Sequence, residues 1–169
     1  IVMKRIMLFL LLMCSAFSVS YSQCFYTKLE FGSDISLYDL NHYNQPISVQ
    51  LGYDFNCYES MEFDYTYGYE KYDVSYHRIG VNYIHEFYNE TDALYFPFIK
   101  FGAAYKSYDY GKYKDEFGDF KLGFGVNAYY SSRLYFSFGV DVSVAVNSEV
   151  AFDLENAICK PYIGVGFKL

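Results

Sequence analysis

Val140, Val142, Val144 and Val146 continue an apolar set begun by Leu134, Phe136 and Phe138, and the residues between them are Tyr135, Ser137, Gly139, Asp141, Ser143 and Ala145. Strict alternation over that length puts seven apolar side chains on one face of a single strand and a mainly polar set on the other. In a soluble sandwich the solvent-facing set would be rich in Lys and Glu, and the apolar face would seldom run beyond about four side chains. Here the apolar face is long enough to cross a bilayer, because a tilted transmembrane strand needs about 9–11 residues. Between Phe25 and Leu169 the chain reads as eight such stretches. Repeats of this length separated by turns are the signature of a transmembrane β-barrel. The expected fold class is all-β, an eight-stranded antiparallel transmembrane barrel.

Strands are expected at about 25–38, 46–55, 61–69, 76–87, 96–105, 118–130, 134–147 and 160–169. The fifth is the least regular, with Phe96 and Phe98 on its inner parity and Pro97 at its start, where a missing ladder donor does least harm. In this reading the inner face carries Lys28, Arg78, Lys100 and Lys121 together with Glu30, Asp54, Glu62, Asp64, Glu86 and Asp141; Asp34 and Lys168 share that parity. In a narrow interior these groups are expected to pair as a polar core, since an unpaired buried charge costs several kcal/mol, roughly. Glycine supports the same parity. Ten of the 12 glycines, all but Gly111 and Gly118, fall on the inner face with at least one in every strand. Small inward residues relieve crowding in a tightly curved barrel.

Lys4 and Arg5 precede an apolar run from Ile6 to Met13, and Ser18, Ser20 and Ser22 supply small residues before Gln23. Residues 1–22 therefore read as an export signal, with Met3 as the initiator, and 23–169 as one outer-membrane barrel domain. Losing Lys4 and Arg5 and no acid takes the net charge from −7 to −9, which argues against nucleic acid as a partner. No run approaches eighteen apolar residues, so no transmembrane helix is expected. An exported barrel points to the outer membrane of a Gram-negative cell.

Cys24, Cys57 and Cys159 remain after the signal. Cys24 and Cys57 fall at the periplasmic end, where a bridge or two thiols both fit, and Cys159 falls at the opposite rim. Tyr21, Ser22 and Gln23 depart from the Leu-small-small pattern of a lipid-acceptor cysteine.

With the N-terminus in the periplasm, connections one, three, five and seven face outward and should be long. The segments 69–75, 106–117 and 148–158 fit, while 56–60 and 131–133 are short; 89–94 is longer than ideal. Tyr69 and Tyr72, with Tyr76 one residue past the first of those long segments, and Tyr108, Tyr110 and Tyr113 in the second, interleave with charged residues. They are the candidate binding residues for an extracellular protein. For catalysis the only constellation is Asp73, Ser75 and His77, at alternate positions near the outer rim. Residues two apart on a strand stand about 6.5–7 Å apart, too far for the hydrogen bond a nucleophile and its base need. His42 and His85 lack a second His or Cys at ligand spacing, and no glycine-rich phosphate loop occurs, so no catalytic residue, metal or cofactor is assigned.

The terminal strand, with Tyr162, Gly164 and Gly166 on one face and Ile163, Val165, Phe167 and Leu169 on the other, resembles the segment recognised by the barrel-assembly machinery. It ends in Leu where Phe is usual. Over the whole mature sequence the chain resembles the small OmpA/OmpX-type outer-membrane barrels. The resemblance implies fold and location, with membrane lipids and the assembly machinery as partners, and does not imply an activity. The expected role is structural or cell-surface interaction through the tyrosine-rich external loops. A narrow passive pore is the alternative, and a barrel-anchored enzyme acting on lipid A the second alternative.

Overall fold

The computed structural model describes residues 24–37, 43–70, 74–87, 94–109, 114–146 and 152–169. The expected signal segment, 1–22, lies outside the described residues, as do Tyr72, Asp73, Tyr110 and Tyr113. Ten strand segments follow one another: β1 (Cys24–Gly32), β2 (Asp34–Ser36), β3 (Tyr43–Asn44), β4 (Ile47–Asp54), β5 (Glu59–Glu70), β6 (Val74–Glu86), β7 (Tyr95–Asp109), β8 (Lys114–Tyr129), β9 (Leu134–Val146) and β10 (Phe152–Lys168). They make eight barrel strands. Against β10, Gly32 pairs with Tyr162 and Ile35 with Cys159 in one unbroken register, so β2 continues β1 past Ser33. β3 continues β4 in the same way, since Asn44 meets Asp34 and Ile47 meets Phe31.

Every neighbour is antiparallel, and β1 pairs with both β4 and β10, so the sheet closes on itself and leaves no free edge at its waist. The register fixes the barrel's shape. From Tyr26 the ladder runs to Gly52, Glu62, Asn82, Gly102, Lys121, Ser143 and Ile158, and returns to the first strand at Ser36, ten residues along. With about 3.3 Å per residue and about 4.8 Å between strands, that offset tilts the strands by roughly 40°. An eight-stranded barrel of this tilt has an interior only as wide as the side chains that fill it.

Local chemistry sets the two short turns at the end that carries Cys24 and Leu169. Asn56 Oδ1 accepts from the amides of Tyr58 and Glu59 at 2.8 and 2.9 Å, and Ser131 Oγ accepts from the amide of Leu134 at 3.0 Å. Short polar side chains that bond their own backbone two or three residues on are what reverse a chain tightly. At the other end the strands run further than the sequence suggests. β7 and β8 stay paired as far as Asp109 with Lys114, and β5 and β6 as far as Glu70 with Val74. Most of 106–117 and of 69–75 is therefore hairpin and not loop, because Tyr, Phe and Val keep the backbone extended beyond the apolar belt. β10 likewise begins at Phe152, with a register shift between Asp153 and Ile158.

Outward positions of the described strands carry no Asp, Glu, Lys or Arg between Glu59 at one end and Asp109, Lys114 and Glu116 at the other. Leu51, Phe63, Phe101, Phe124 and Ile163 are all about half exposed or more. Such a belt is stable only against hydrocarbon, and its aromatic fringe at the turn end, Phe25, Tyr53, Phe55, Phe87, Tyr95 and Tyr130, matches an interfacial girdle.

The inward glycines have a specific cause. Tyr26 faces Gly52, Tyr76 faces Gly68, Phe98 faces Gly125, Tyr135 faces Gly166 and Tyr162 faces Gly139, each as direct cross-strand partners. A Cβ built on Gly52, Gly68 or Gly166 would overlap the facing ring, and one on Gly139 would stand 2.6 Å from the Tyr162 hydroxyl. Tyr26, Tyr76 and Tyr135 lay their rings across the position where a side chain is missing, and Phe98 and Tyr162 bring a ring tip there, an arrangement that fills a narrow lumen without distending it. Gly52→Val is expected to cost about 1–3 kcal/mol by overpacking, whereas Gly118→Ala, whose Cβ would meet only Ala104 O at 3.9 Å, should change stability by less than about 0.5 kcal/mol. Urea midpoints of the two variants, followed by the gel shift between folded and unfolded barrel, give the comparison.

Candidate functional site: the lumen and its two mouths

The inward charges form one connected network in the middle of the barrel. Lys28 Nζ stands 2.7 Å from Glu62 and 3.2 Å from Glu30. Lys100 Nζ lies 2.9 Å from Asp141 and 3.8 Å from Glu30, and donates to the Tyr162 hydroxyl at 3.2 Å. Lys121 bridges Asp64 at 3.0 Å and Asp141 at 3.7 Å, and Asn82 also donates to Asp64. Arg78 reaches Asp119 through Nε at 3.0 Å and Asp64 through a terminal nitrogen at 3.5 Å. Lys160 donates to Ser48 Oγ at 2.8 Å. All of these charged groups are buried, Lys100 completely.

Asp119, Lys160 and Lys106 belong to the interior although the sequence reading left them out. All three have the inner parity: Asp119 and Lys160 stand at the very start of the expected strands 118–130 and 160–169, and Lys106 one residue past the end of 96–105. Applying the alternation right up to the strand ends, and one residue past the fifth, finds them. Among the inward tyrosines, the alternation places Tyr135 and Tyr162 in the inner set, while Tyr26 and Tyr76 escape it for another reason. Tyr is common on both faces, so its presence does not mark a side, and the structure shows Tyr26 and Tyr76 turned inward with them.

At the end away from the short turns, Tyr76 corrects an expectation. It is 1% exposed, its hydroxyl donates to Asp34, and Lys106 Nζ lies 4.0 Å above its ring. It shares the parity of Arg78, Gly80 and Asn82, so it fills the upper lumen and offers no outward surface. Tyr108 is half-buried beside it, stacked on Phe117 with ring centres 5.7 Å apart. Tyr69 is exposed on the outer side of β5. Below Tyr76 is a void of about 20 Å³ among Arg78, Asp119, Lys121 and Asp141, room for about one water.

At the turn end, Tyr26, Tyr135, Ile84 and Phe98 close the lumen as an apolar floor, each 4% exposed or less. Beneath them opens a cavity of about 600 Å³ whose lining includes Asp54, Glu86, Phe96, Tyr129 and Lys168. Lys168 Nζ bonds Asp54 at 2.8 Å, and Cys24 Sγ donates to the same carboxylate oxygen at 3.0 Å. Glu86 accepts from Asn127 and from the Tyr129 hydroxyl. Cys24, Cys57 and Cys159 are free thiols. Cys24 faces Asp54 across the ladder, which leaves Cys57 three residues further on, in the turn.

Ser75 and His77 both lie on the outer face, and His77 Nδ1 is engaged by the Tyr65 hydroxyl at 2.7 Å. The neighbours of Ser75 across the ladder are Tyr69 and Asp109. Among the described residues, no group of three or more His, Cys, Asp or Glu is placed to hold a metal, and no helix is long and apolar enough to cross a membrane.

This geometry is shared with solved structures. Neisserial surface protein A matches with a TM-score of 0.67 at 13% identity, over 87% of this chain and 97% of that one. The N-terminal β-barrel domain of Pseudomonas aeruginosa OprF matches with a TM-score of 0.56 at 15% identity, over 85% and 97%. A de novo designed transmembrane β-barrel matches with a TM-score of 0.50 at 14% identity, over 89% and 98%. No protein-family model matches the chain, and no curated protein matches it in sequence. At these identities the likeness concerns the fold, and the fold is that of the small, closed, eight-stranded outer-membrane barrels.

Proposed function

We propose that the chain is an integral outer-membrane barrel of a Gram-negative cell, exported by a signal at residues 1–22 and acting at the cell surface through the tips of its outer hairpins. One observation carries the reading: an uncharged lipid-facing belt surrounds a lumen filled by paired charges and tyrosine rings. Such a molecule is built to be anchored and displayed. Its short-turn end faces the periplasm, and the β7–β8 hairpin, paired as far as Asp109 with Lys114, projects beyond the outer leaflet. Tyr69, Tyr72, Tyr108, Tyr110 and Tyr113 are the binding set, large amphipathic rings that bury area at low entropic cost against a protein partner. Membrane lipids surround the belt, and the terminal strand ending at Leu169 is the segment offered to the assembly machinery.

Replacing residues 110–113 with a Gly-Ser linker tests this reading. The barrel should keep its folded gel mobility, because hairpin tips add little to the ladder, while adhesion of expressing cells to protein-coated surfaces should fall to that of empty cells. Undiminished adhesion would refute the surface role of these tips. Planar bilayers test the pore alternative. The filled lumen is expected to give no steady conductance, and large stable openings would replace the present reading with that of a channel.

A further inference from the structure

We infer that the cavity at the periplasmic mouth binds a small organic cation, an ammonium group carried on an apolar body. Its volume of about 600 Å³ falls within the roughly 300–1,000 Å³ of sites that take small molecules. Its charge is unbalanced: Asp54 and Glu86 face it with Lys168 as the single cation of its lining. Lys168 bonds Asp54 at 2.8 Å and stands 5.1 Å from the centre of the Tyr129 ring, while Glu86 is held by Asn127 and Tyr129, with no cation within ion-pair distance among the described residues. Asn127 donates to Oε1, and the Tyr129 hydroxyl is shared between Oε1 at 3.2 Å and Oε2 at 3.3 Å, so Oε2 has the fewer donors. Oε2 is thus the oxygen left for a charged donor.

The wall beside it is aromatic. Phe96 and Tyr129 meet edge to face with ring centres 5.2 Å apart and form a corner next to the carboxylate. Ring faces combined with a carboxylate favour a cation with attached hydrocarbon, through the ring quadrupole and through burial of the apolar part. An anion would meet two carboxylates, and a neutral apolar molecule would cover Glu86 without neutralising it. Tyr26, Tyr135 and Phe98 close the cavity above, so a ligand entering from the periplasm stops there and is held without being passed through. The site is independent of the hairpin tips, and only its sidedness rests on the orientation proposed above.

The test uses the mature chain in zwitterionic nanodiscs, titrated with 4-phenylbutylammonium, 4-phenylbutanol and 4-phenylbutyrate, and followed by calorimetry and by amide chemical shifts. The ammonium is expected to bind, to shift amides near Glu86, Tyr129 and Lys168, and to bind at least tenfold more weakly to Glu86→Gln. That variant keeps an acceptor for Asn127 and Tyr129, and Phe96→Ala, expected to weaken binding without touching any charge, guards against a folding artefact. Equal affinity of Glu86→Gln for the ammonium, equal affinity of the wild-type chain for the alcohol, absence of ammonium binding up to its solubility limit, or shifts confined to residues outside the mouth would each overturn the proposal. Loss of adhesion in the hairpin-tip variant bears on the surface reading alone and leaves this one standing.

Discussion

Lys100→Met is expected to destabilise the barrel by about 3–5 kcal/mol, the usual cost of removing one partner from a buried ion pair. Lys100 is completely buried, 2.9 Å from Asp141 and 3.8 Å from Glu30. Removing its charge leaves the two acids unequally placed. Among the described residues, Glu30 keeps Lys28 at 3.2 Å and Lys160 at 3.9 Å, whereas Asp141 keeps only Lys121, at 3.7 Å and shared with Asp64. The penalty therefore resides mainly at Asp141, and the double change Lys100→Met with Asp141→Leu should recover most of it, because removing both charges leaves no buried charge uncompensated. Equilibrium unfolding in urea measures both variants. If the single change cost less than about 1 kcal/mol, water would have to reach Asp141, and the picture of a filled lumen would fail.

The architecture was legible because one physical constraint dominates it. A spanning strand between lipid and a polar lumen must alternate, and the valine run of β9 shows that alternation without exception from Leu134 to Val146. Parity alone put Lys28, Glu30, Arg78, Lys100, Lys121 and Asp141 on the inner face. Strand ends were less legible. Beyond the belt, lipid no longer enforces an apolar outer face, so Ser107, Asp109, Lys114 and Glu116 look like loop although β7 and β8 remain paired through them. That blurring also hid Lys106, one residue past the expected end of its strand. The cavity at the short-turn mouth was not legible at all. Its lining comes from the start of β1, the end of β10, the two short turns and the strand ends beside them, segments brought together by closure and by the ten-residue offset of the ladder.

Tyr76 marks the limit of pattern reading most clearly. Tyrosine suits an interfacial girdle, an adhesive tip or a glycine-backed lumen position, and its composition signal is the same in all three. What separates Tyr76 from Tyr69 is one step of parity and a glycine, Gly68, directly across the ladder. The spacing of glycine against inward aromatic residues on adjacent strands therefore carries register information that alternation by itself does not.

The second large effect is expected on the opposite face. Ile163 is 58% exposed and stands between Phe31 on β1 and Phe138 on β9, in the middle of the uncharged belt. Ile163→Arg should cost about 2–4 kcal/mol, the range for Arg on the lipid side of a barrel at the bilayer midplane. Tyr130, 80% exposed beside the Ser131 turn, lies at the edge of the belt, and Tyr130→Arg should cost about 0–1 kcal/mol because the guanidinium reaches headgroups and water. Both positions are outward and aromatic or aliphatic, so depth in the bilayer is the main variable between them. Folding into vesicles of defined lipid composition, with urea unfolding read by tyrosine fluorescence, gives the two free energies directly. A difference that grows with the hydrocarbon thickness of the vesicles would tie the cost to lipid, since at Ile163 a thicker core lengthens the path to water while Tyr130 stays at the interface. Equal costs at the two sites would mean that the belt is not facing hydrocarbon, and a soluble barrel buried by other protein would then have to replace the membrane assignment.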